Sequence, residues 1–252
     1  MIRKHLLLGA LCCALLATIP ASAATDPHPA TKRSINLPPP AELGYAITAQ
    51  QSGLTLNGDA VVKWQHQANT FSVQTEIRAA MLGKILDTSS KGMIDNYGLA
   101  PASFDEKRFR KDASTTTFNR STRTIGFTQS SASFPLIGGE QDRASVIWQL
   151  IGIARAAANR FKPGSEWQFF VAGQRDAEAW AFKVIGREKI DTALGRIETV
   201  HLFRAPPPDD QDQKLDVWLA PGHDWYPVKL RFTDPDGDYI EQSLQTISKI
   251  SR

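Results

Sequence analysis

The chain has 252 residues, with 29 lysine and arginine residues against 26 aspartate and glutamate residues, a formal net charge of +3. Its two cysteines, Cys12 and Cys13, both lie in an apolar stretch near the amino terminus. The nearly balanced charge gives no electrostatic support for a nucleic-acid partner. Beyond residue 13 the sequence offers no thiol for a disulfide, a nucleophile or a metal site.

Residues 1–23 have the pattern of a cleavable export signal. Arg3 and Lys4 precede an apolar stretch over residues 6–19, and Ala21-Ser22-Ala23 is typical of a signal peptidase site. The stretch is shorter than the about 20 residues that a membrane-spanning helix needs. We predict cleavage after Ala23 and a periplasmic protein with no transmembrane segment after cleavage. Loss of Arg3 and Lys4 leaves 29 − 2 = 27 basic against 26 acidic residues, so the exported chain is close to neutral.

Residues 24–40 are predicted to be a proline-rich tether. They contain Pro27, Pro29 and the run Pro38-Pro39-Pro40, without apolar periodicity, so an extended or disordered segment is expected. His28 lies in this segment and is expected in solvent. The remaining residues, 41–252, are predicted to form a single domain.

From residue 44 onward the dominant hydrophobic period is two. Phe71, Val73 and Ile77 alternate with polar residues, and the pattern recurs around Trp180 and Phe182. Glycine- and proline-containing turn sequences separate these runs, for example at 138–139 and 221–222. Short alternating runs with regular turns predict a mainly β fold, an antiparallel meander that forms a curved, open or incomplete barrel.

One segment departs from this pattern. Asp142 is placed to cap a helix over residues 143–160, in which apolar residues recur near the helical period of 3.6. The apolar stripe of such an amphipathic helix needs a surface to cover, and the concave side of a curved sheet provides one. We therefore predict one helix against the concave face.

Two sets of residues are candidates for ligand contacts. Trp64, Trp180 and Phe182 lie on the large-residue side of their strands, where they either form the wall of an apolar cavity or pack as core. Arg108, Arg110 and Lys111 form a basic run that suits an anionic headgroup. The alternative for this run is an exposed strand face that discourages edge pairing.

The sequence does not indicate catalytic chemistry. No histidine pair has the spacing of a helical metal site, and no nucleophile or phosphate-loop motif is present. His66 and His201 are interpreted as half-buried strand histidines with hydrogen-bond partners. The acidic loop at 209–212 is interpreted as a solvated turn in preference to a calcium site. We predict no catalytic residue, no metal and no cofactor.

Several short blocks, taken in order, resemble the DUF3108 family of exported bacterial proteins of unknown function. The resemblance covers nearly the whole chain after the tether. The blocks are Gly58-Asp59-Ala60, Lys91-Gly92 with Tyr97-Gly98-Leu99-Ala100-Pro101, Gln141-Asp142-Arg143-Ala144-Ser145, Thr192-Ala193-Leu194-Gly195, Val217-Trp218-Leu219-Ala220-Pro221 and Tyr226-Pro227-Val228-Lys229-Leu230. The resemblance implies a single antiparallel β domain, an open or incomplete barrel, in the Gram-negative envelope. It implies no catalytic residues.

Three functional hypotheses follow from the sequence. The first is a non-catalytic periplasmic binding, carrier or chaperone-like protein for an apolar lipid or polyprenyl ligand. The second is an envelope scaffold with a packed core that works through its surface. The third is a hydrolase acting on glycan or lipid. A cavity in the interior favours the first, a packed interior the second, and a cleft with histidine and carboxylates the third.

Overall fold

The computed structural model describes residues 28–206 and 213–250. The predicted signal peptide and the acidic loop at 209–212 lie outside the described residues. The described residues form fifteen strands in one sheet and one α-helix. All strand pairs are antiparallel except the short pair between the ninth and tenth strands. This confirms the prediction of a mainly β, antiparallel fold with one helix.

The strands fall into two groups on either side of the helix. Before it come β1 Ala41–Gln51, β2 Leu54–Gln67, β3 Thr70–Ala79, β4 Gly83–Asp95, β5 Gly98–Arg108, β6 Ser114–Asn119, β7 Thr124–Phe127, β8 Ser130–Pro135 and β9 Gln141–Asp142. After it come β10 Glu166–Ala172, β11 Ala177–Thr192, β12 Gly195–Arg204, β13 Lys214–Leu219, β14 Pro227–Thr233 and β15 Tyr239–Lys249. The helix, α1, spans Ser145–Ala156.

The sheet curls on itself without closing into a barrel. Its strand order runs from β8 down to β1, then from β15 down to β9, so β8 and β9 are its two edges. Near the β9 edge the two arms meet, because Gln141 donates to the carbonyl of Leu99 at 2.7 Å and Thr116 donates to that of Gly173 at 2.6 Å. A small apolar cluster that includes Phe104 fills the space between the arms. The curved, incomplete barrel predicted from the sequence is confirmed.

Helix α1 lies on the concave face and is buried on all sides. It begins two residues later than predicted, and a short 3₁₀ helix at Ala158–Arg160 follows it. Every residue from Ser145 to Ala154 is buried. The ring of Trp148 stacks on that of Trp64 from β2 with centroids 4.5 Å apart. The sequence predicted only one buried stripe, so a second element must cover the side that faces away from the sheet.

Residues 28–40 are that second element. They contain no helix or strand, as expected for a proline-rich segment, but they pack against the domain. The N–H of Asn36 donates to the carbonyl of Gly152 at 2.9 Å. A Cβ on Gly152 would lie 3.2 Å from both Ile35 and Leu37, so the missing side chain makes room for the segment. The described part of the predicted tether therefore forms the outer cover of the helix.

His28 anchors the beginning of the described segment, and the expectation that it lies in solvent is wrong. It is 8% exposed, its ring stacks on Phe170 at 4.1 Å, and its Nε2 lies 2.8 Å from Oε1 of Glu140. Glu140 also accepts the N–H groups of Gly138 and Ile137. Burial alone would raise the pKa of Glu140, but the hydrogen bonds from His28 and the two backbone groups together outweigh it and lower the pKa.

Asp142 fixes the start of the helix. Its Oδ1 accepts the N–H groups of Ala144 and Ser145 at 2.9 and 2.7 Å, which satisfies two donors that the first helical turn leaves free. Ser90 of β4 donates to Oδ2 at 2.5 Å. Asp142 is fully buried, and this burial raises its pKa to about 6 despite the hydrogen bonds that favour the charged form. The N-cap residue is Ala144 and not Asp142, because the helix begins later than predicted, but the Asp142 side chain still satisfies the first N–H groups and also ties the helix to the sheet.

The raised pKa predicts a pH dependence of stability. Since the folded state holds the Asp142 proton more tightly than the unfolded state, the contribution of this group is fully present below pH ~4 and is lost as pH rises through about 6, by at most about 3 kcal/mol. Asp142→Asn keeps the acceptor at Oδ1 and removes the titration. The free energy of unfolding of the native protein minus that of the variant, measured by denaturant titration, should fall between these pH values. A pH-independent difference would contradict the assignment.

Candidate functional site: a cavity on the concave face

The curved sheet has one filled end and one open end. At the filled end, where β2 connects to β3 and β4 to β5, Trp148 packs on Trp64 and Gln149 accepts the N–H of Leu99 at 2.8 Å. At the open end, β1 connects to β2, β3 to β4 and β5 to β6. Between the first turn of α1 and the open end lies a cavity of about 600 Å³. This volume is within the range of about 300–1,000 Å³ that is typical of small-molecule sites.

Most of the cavity wall is apolar, because each strand contributes the residues of its concave face. On β3, for example, Val73, Thr75 and Ile77 all line the cavity, as the period of two requires. Ile147 and Trp148 of α1 form its inner end. Further apolar lining comes from both arms of the sheet: Tyr45, Val62, Ile85, Leu86, Phe104, Leu215, Leu230, Phe232 and Ile240.

The three aromatic residues predicted from the sequence as cavity wall have different positions in the structure. Trp180 lines the cavity and is 6% exposed. Trp64 and Phe182 are fully buried in the main hydrophobic cluster, and neither is among the residues that line the cavity. Both alternatives drawn from the sequence, cavity wall and packed core, therefore occur within this set.

Trp180 belongs to a polar contact chain at the cavity wall. Its Nε1 donates to Glu178 at 2.7 Å, and the guanidinium of Arg204 lies over its ring at 4.3 Å. Arg204 is 2% exposed and forms an ion pair of 3.0 Å with the same Glu178 oxygen. The carboxylate therefore partners a buried cation and an indole at once. This arrangement holds Trp180 in place and neutralises Arg204.

The predicted basic run is also divided. Arg108 and Lys111 line the cavity, whereas Arg110 does not, and its guanidinium lies over the Phe109 ring at 4.9 Å. Arg108 pairs with Glu106, a buried residue of the cavity wall that also accepts from Gln174 at 2.6 Å. Arg108 is therefore neutralised where it stands.

Sequence reasoning missed Arg143, which lines the cavity between β9 and α1. The sequence placed it in the first helical turn, whereas the helix begins at Ser145. A Cβ on Gly173 would lie 2.9 Å from Nε of Arg143, so the guanidinium lies directly against this glycine. Among the described residues, neither Arg143 nor Lys111 has a carboxylate in ion-pair range, unlike Arg108 and Arg204. Within the described residues, the cavity wall therefore carries positive charge without a carboxylate partner.

The cavity does not assemble an acid–base pair from the described residues. Glu106 is the one carboxylate among its described lining residues, and no histidine lines it. His201 is half-buried outside the cavity, with Nε2 2.7 Å from Asp216, which agrees with its interpretation as a hydrogen-bonded strand histidine. The described wall can therefore enclose an apolar group beside cations.

Metal-binding clusters and membrane-spanning helices are both absent from the described residues. No group of three or more histidine, cysteine, aspartate or glutamate residues in ranges 28–206 and 213–250 is arranged to hold a metal ion. Over the same ranges, no helix has the length and apolar character needed to cross a membrane.

Comparison with known proteins gives a family and a fold. The family described as protein of unknown function (DUF3108) matches residues 44–245, which confirms the resemblance seen in the sequence. No curated protein is similar to the chain in sequence. A β-barrel-like protein with the domain of unknown function DUF1849, from Brucella abortus, shares the fold, with a TM-score of 0.55 and 13% identity over 88% of this chain and 100% of that chain.

Two other solved structures are more distant. A DUF1329 family protein from Desulfovibrio piger has a TM-score of 0.29 and 9% identity, over 84% of this chain and 86% of that chain. The lipoprotein LppX from Mycobacterium tuberculosis has a TM-score of 0.28 and 9% identity, over 83% and 88%. Likeness at this level does not extend to function.

The different positions of Trp64 and Trp180 predict different costs of truncation. Trp64→Ala removes a fully buried ring stacked on the helix, and it should lower the free energy of unfolding by about 3–5 kcal/mol. Trp180→Ala should cost less, because one side of this ring already faces a cavity. Chemical denaturation of both variants checks this order, and equal losses would contradict the distinction.

Proposed function

We propose that the chain, which belongs to the DUF3108 family, binds the apolar chain of an anionic amphiphile in its cavity without changing it chemically. The observation that carries this proposal is the apolar cavity of about 600 Å³ at the open end of the sheet, with two cations in its wall that have no carboxylate partner among the described residues. The proposal includes a binding, carrier or chaperone-like role in envelope biogenesis, with an acyl or polyprenyl chain as the ligand class.

The apolar lining of the cavity fits the apolar part of the ligand. Strands from both arms contribute aliphatic and aromatic side chains, and the inner end is closed by Ile147 and Trp148. Burial of apolar surface contributes roughly 25 cal/mol per Å², so a chain that enters such a cavity gains affinity with each methylene. A ligand without an apolar chain would leave this surface unused.

The cations of the described cavity wall fit the anionic part of the ligand. Arg108 and Arg204 already have carboxylate partners, and Arg143 and Lys111 supply the free positive charge of the described wall. A carboxylate or phosphate head beside the Arg143 guanidinium would form charge-assisted hydrogen bonds. Arg110, the remaining member of the predicted headgroup set, lies outside the wall and is not part of this proposal.

The alternatives from the sequence predict different interiors. A scaffold with a packed core agrees with the filled end of the sheet, but it does not account for an apolar cavity at the other end. A hydrolase needs paired acid and base groups, and the described cavity wall supplies none. The periplasm is the proposed location because of the signal-like residues 1–23.

Radiolabelled palmitate and hexadecanol test the proposal, because they share a chain length and differ in charge. Both should bind, palmitate more tightly. Arg143→Gln should weaken palmitate by about tenfold and leave hexadecanol unchanged. Ile77→Trp replaces an aliphatic side chain with a bulky ring that fills part of the cavity. It should weaken the binding of both palmitate and hexadecanol by at least about tenfold.

Arg196→Gln is the matched control, since Arg196 is an exposed arginine next to the turn between β11 and β12 at the filled end. Ile85→Trp, on the neighbouring strand, repeats the cavity-filling test if Ile77→Trp does not fold. Failure of both probes to bind the native protein, or undiminished binding to a folded cavity-filled variant, would overturn the proposal.

A further inference from the structure

We infer that the open end of the sheet docks on the surface of an anionic lipid bilayer. The turns and strand ends at this end carry five exposed apolar side chains, here called the apolar lip: Leu54, Leu56, Met81, Leu82 and Phe109. Their exposed fractions are 66, 50, 96, 59 and 40%, so they lie in solvent in the isolated protein. The inference concerns this surface and does not depend on occupancy of the cavity.

The five residues are neighbours because their three hairpins lie side by side. The N–H of Ala80 donates to the carbonyl of Asn57 at 3.1 Å, which places the turn between β3 and β4 beside the start of β2. The N–H of Phe109 donates to the carbonyl of Ile85 at 2.8 Å, which places the next turn beside β4. The lip is therefore one continuous edge formed by successive turns.

The lip continues the apolar surface of the cavity outward. Leu54 and Leu56 share the side-chain parity of Ala60, Val62 and Trp64, which face the concave side. Phe109 both lines the cavity and is 40% exposed. A contiguous exposed apolar patch of this kind marks an interaction site.

Charge selects the occupant of this surface. Lys107 lies near the end of β5, and Arg110 lies in the turn that follows. Among the described residues, neither has a carboxylate in ion-pair range. Arg110 covers the Phe109 ring at 4.9 Å, so cation and apolar ring are presented together. Apolar groups that enter the boundary of the acyl chains, flanked by cations that meet anionic headgroups, are the chemistry of interfacial membrane binding.

Acidic groups occur on both sides of the open end, with Asp112 in the turn after β5, but three of them share the turn between β14 and β15, and this cluster sets the orientation. Asp234, Asp236 and Asp238 lie in the turn between β14 and β15, where Asp238 accepts the N–H of Ser52 at 2.7 Å. This side would be repelled by anionic lipid. The side of the open end formed by β2–β6 should therefore contact the bilayer. The acidic turn between β14 and β15 should then point away from it.

Co-sedimentation of the purified protein with vesicles tests the inference. Vesicles of phosphatidylethanolamine and phosphatidylglycerol in equal parts should bind the protein, and vesicles of phosphatidylcholine alone should bind it weakly. The doubly substituted variant Met81→Ser, Leu82→Ser should lose binding by about tenfold or more. Lys107→Gln with Arg110→Gln should lose about fivefold per charge, and added salt should reproduce that loss.

Matched controls lie away from the lip. Ile185→Ser with Leu194→Ser removes two exposed apolar side chains elsewhere on the sheet, and Lys189→Gln with Arg196→Gln removes two exposed charges near the filled end. Both control variants should bind vesicles like the native protein. Equal losses in control and lip variants, or no vesicle binding by the native protein, would overturn the inference.

The vesicle result is separable from ligand binding. The four residues replaced in the lip variants do not line the cavity, so these variants should bind palmitate as the native protein does. Vesicle binding without palmitate binding would support the docking surface and overturn the proposed ligand. Palmitate binding without vesicle binding would do the reverse and point to a protein as the occupant of the lip.

Discussion

The structure depends on one constraint: a single helix is too short to fill the concave face of a fifteen-stranded curved sheet. Trp148 stacks on Trp64 and Gln149 bonds to Leu99, so the twelve residues of α1 are committed to one end. The apolar concave residues of the other end then face a space that no element of the described chain fills. The cavity is thus a consequence of helix length and position.

The helix holds this position because it is bound on both sides. The sheet covers one side, and residues 28–40 cover the other, with Asn36 bonded to Gly152 and His28 paired with Glu140. Asp142 joins the first turn to β4 through Ser90. Buried polar groups with hydrogen-bond partners fix the helix in one position, because moving the helix would leave these groups without partners. The inner end of the cavity is therefore rigid, while its outer end is formed by turns.

The strands, the helix, the open barrel and the family could be predicted because each depends on local periodicity or on short ordered blocks. The cover formed by residues 28–40 could not be predicted. Prolines indicate an extended backbone, but they do not indicate which part of the protein that backbone contacts. The sequence also could not predict which aromatic residues line the cavity, because Trp64 and Trp180 have the same position in the alternation of their strands. Only the position of α1 decides that Trp64 packs in the core and Trp180 faces the cavity. Arg143 escaped notice because a two-residue shift of the helix start moves it from a helical surface to the cavity wall.

Native mass spectrometry shows whether the cavity holds an apolar chain. The protein would be purified from a periplasmic fraction without detergent and measured before and after extraction with organic solvent. A bound amphiphile should appear as a discrete added mass that the solvent removes, and fragmentation of the extract should identify an acidic head. A mass equal to that of the bare chain, from a preparation in which binding of added palmitate is also absent, would contradict the proposed binding.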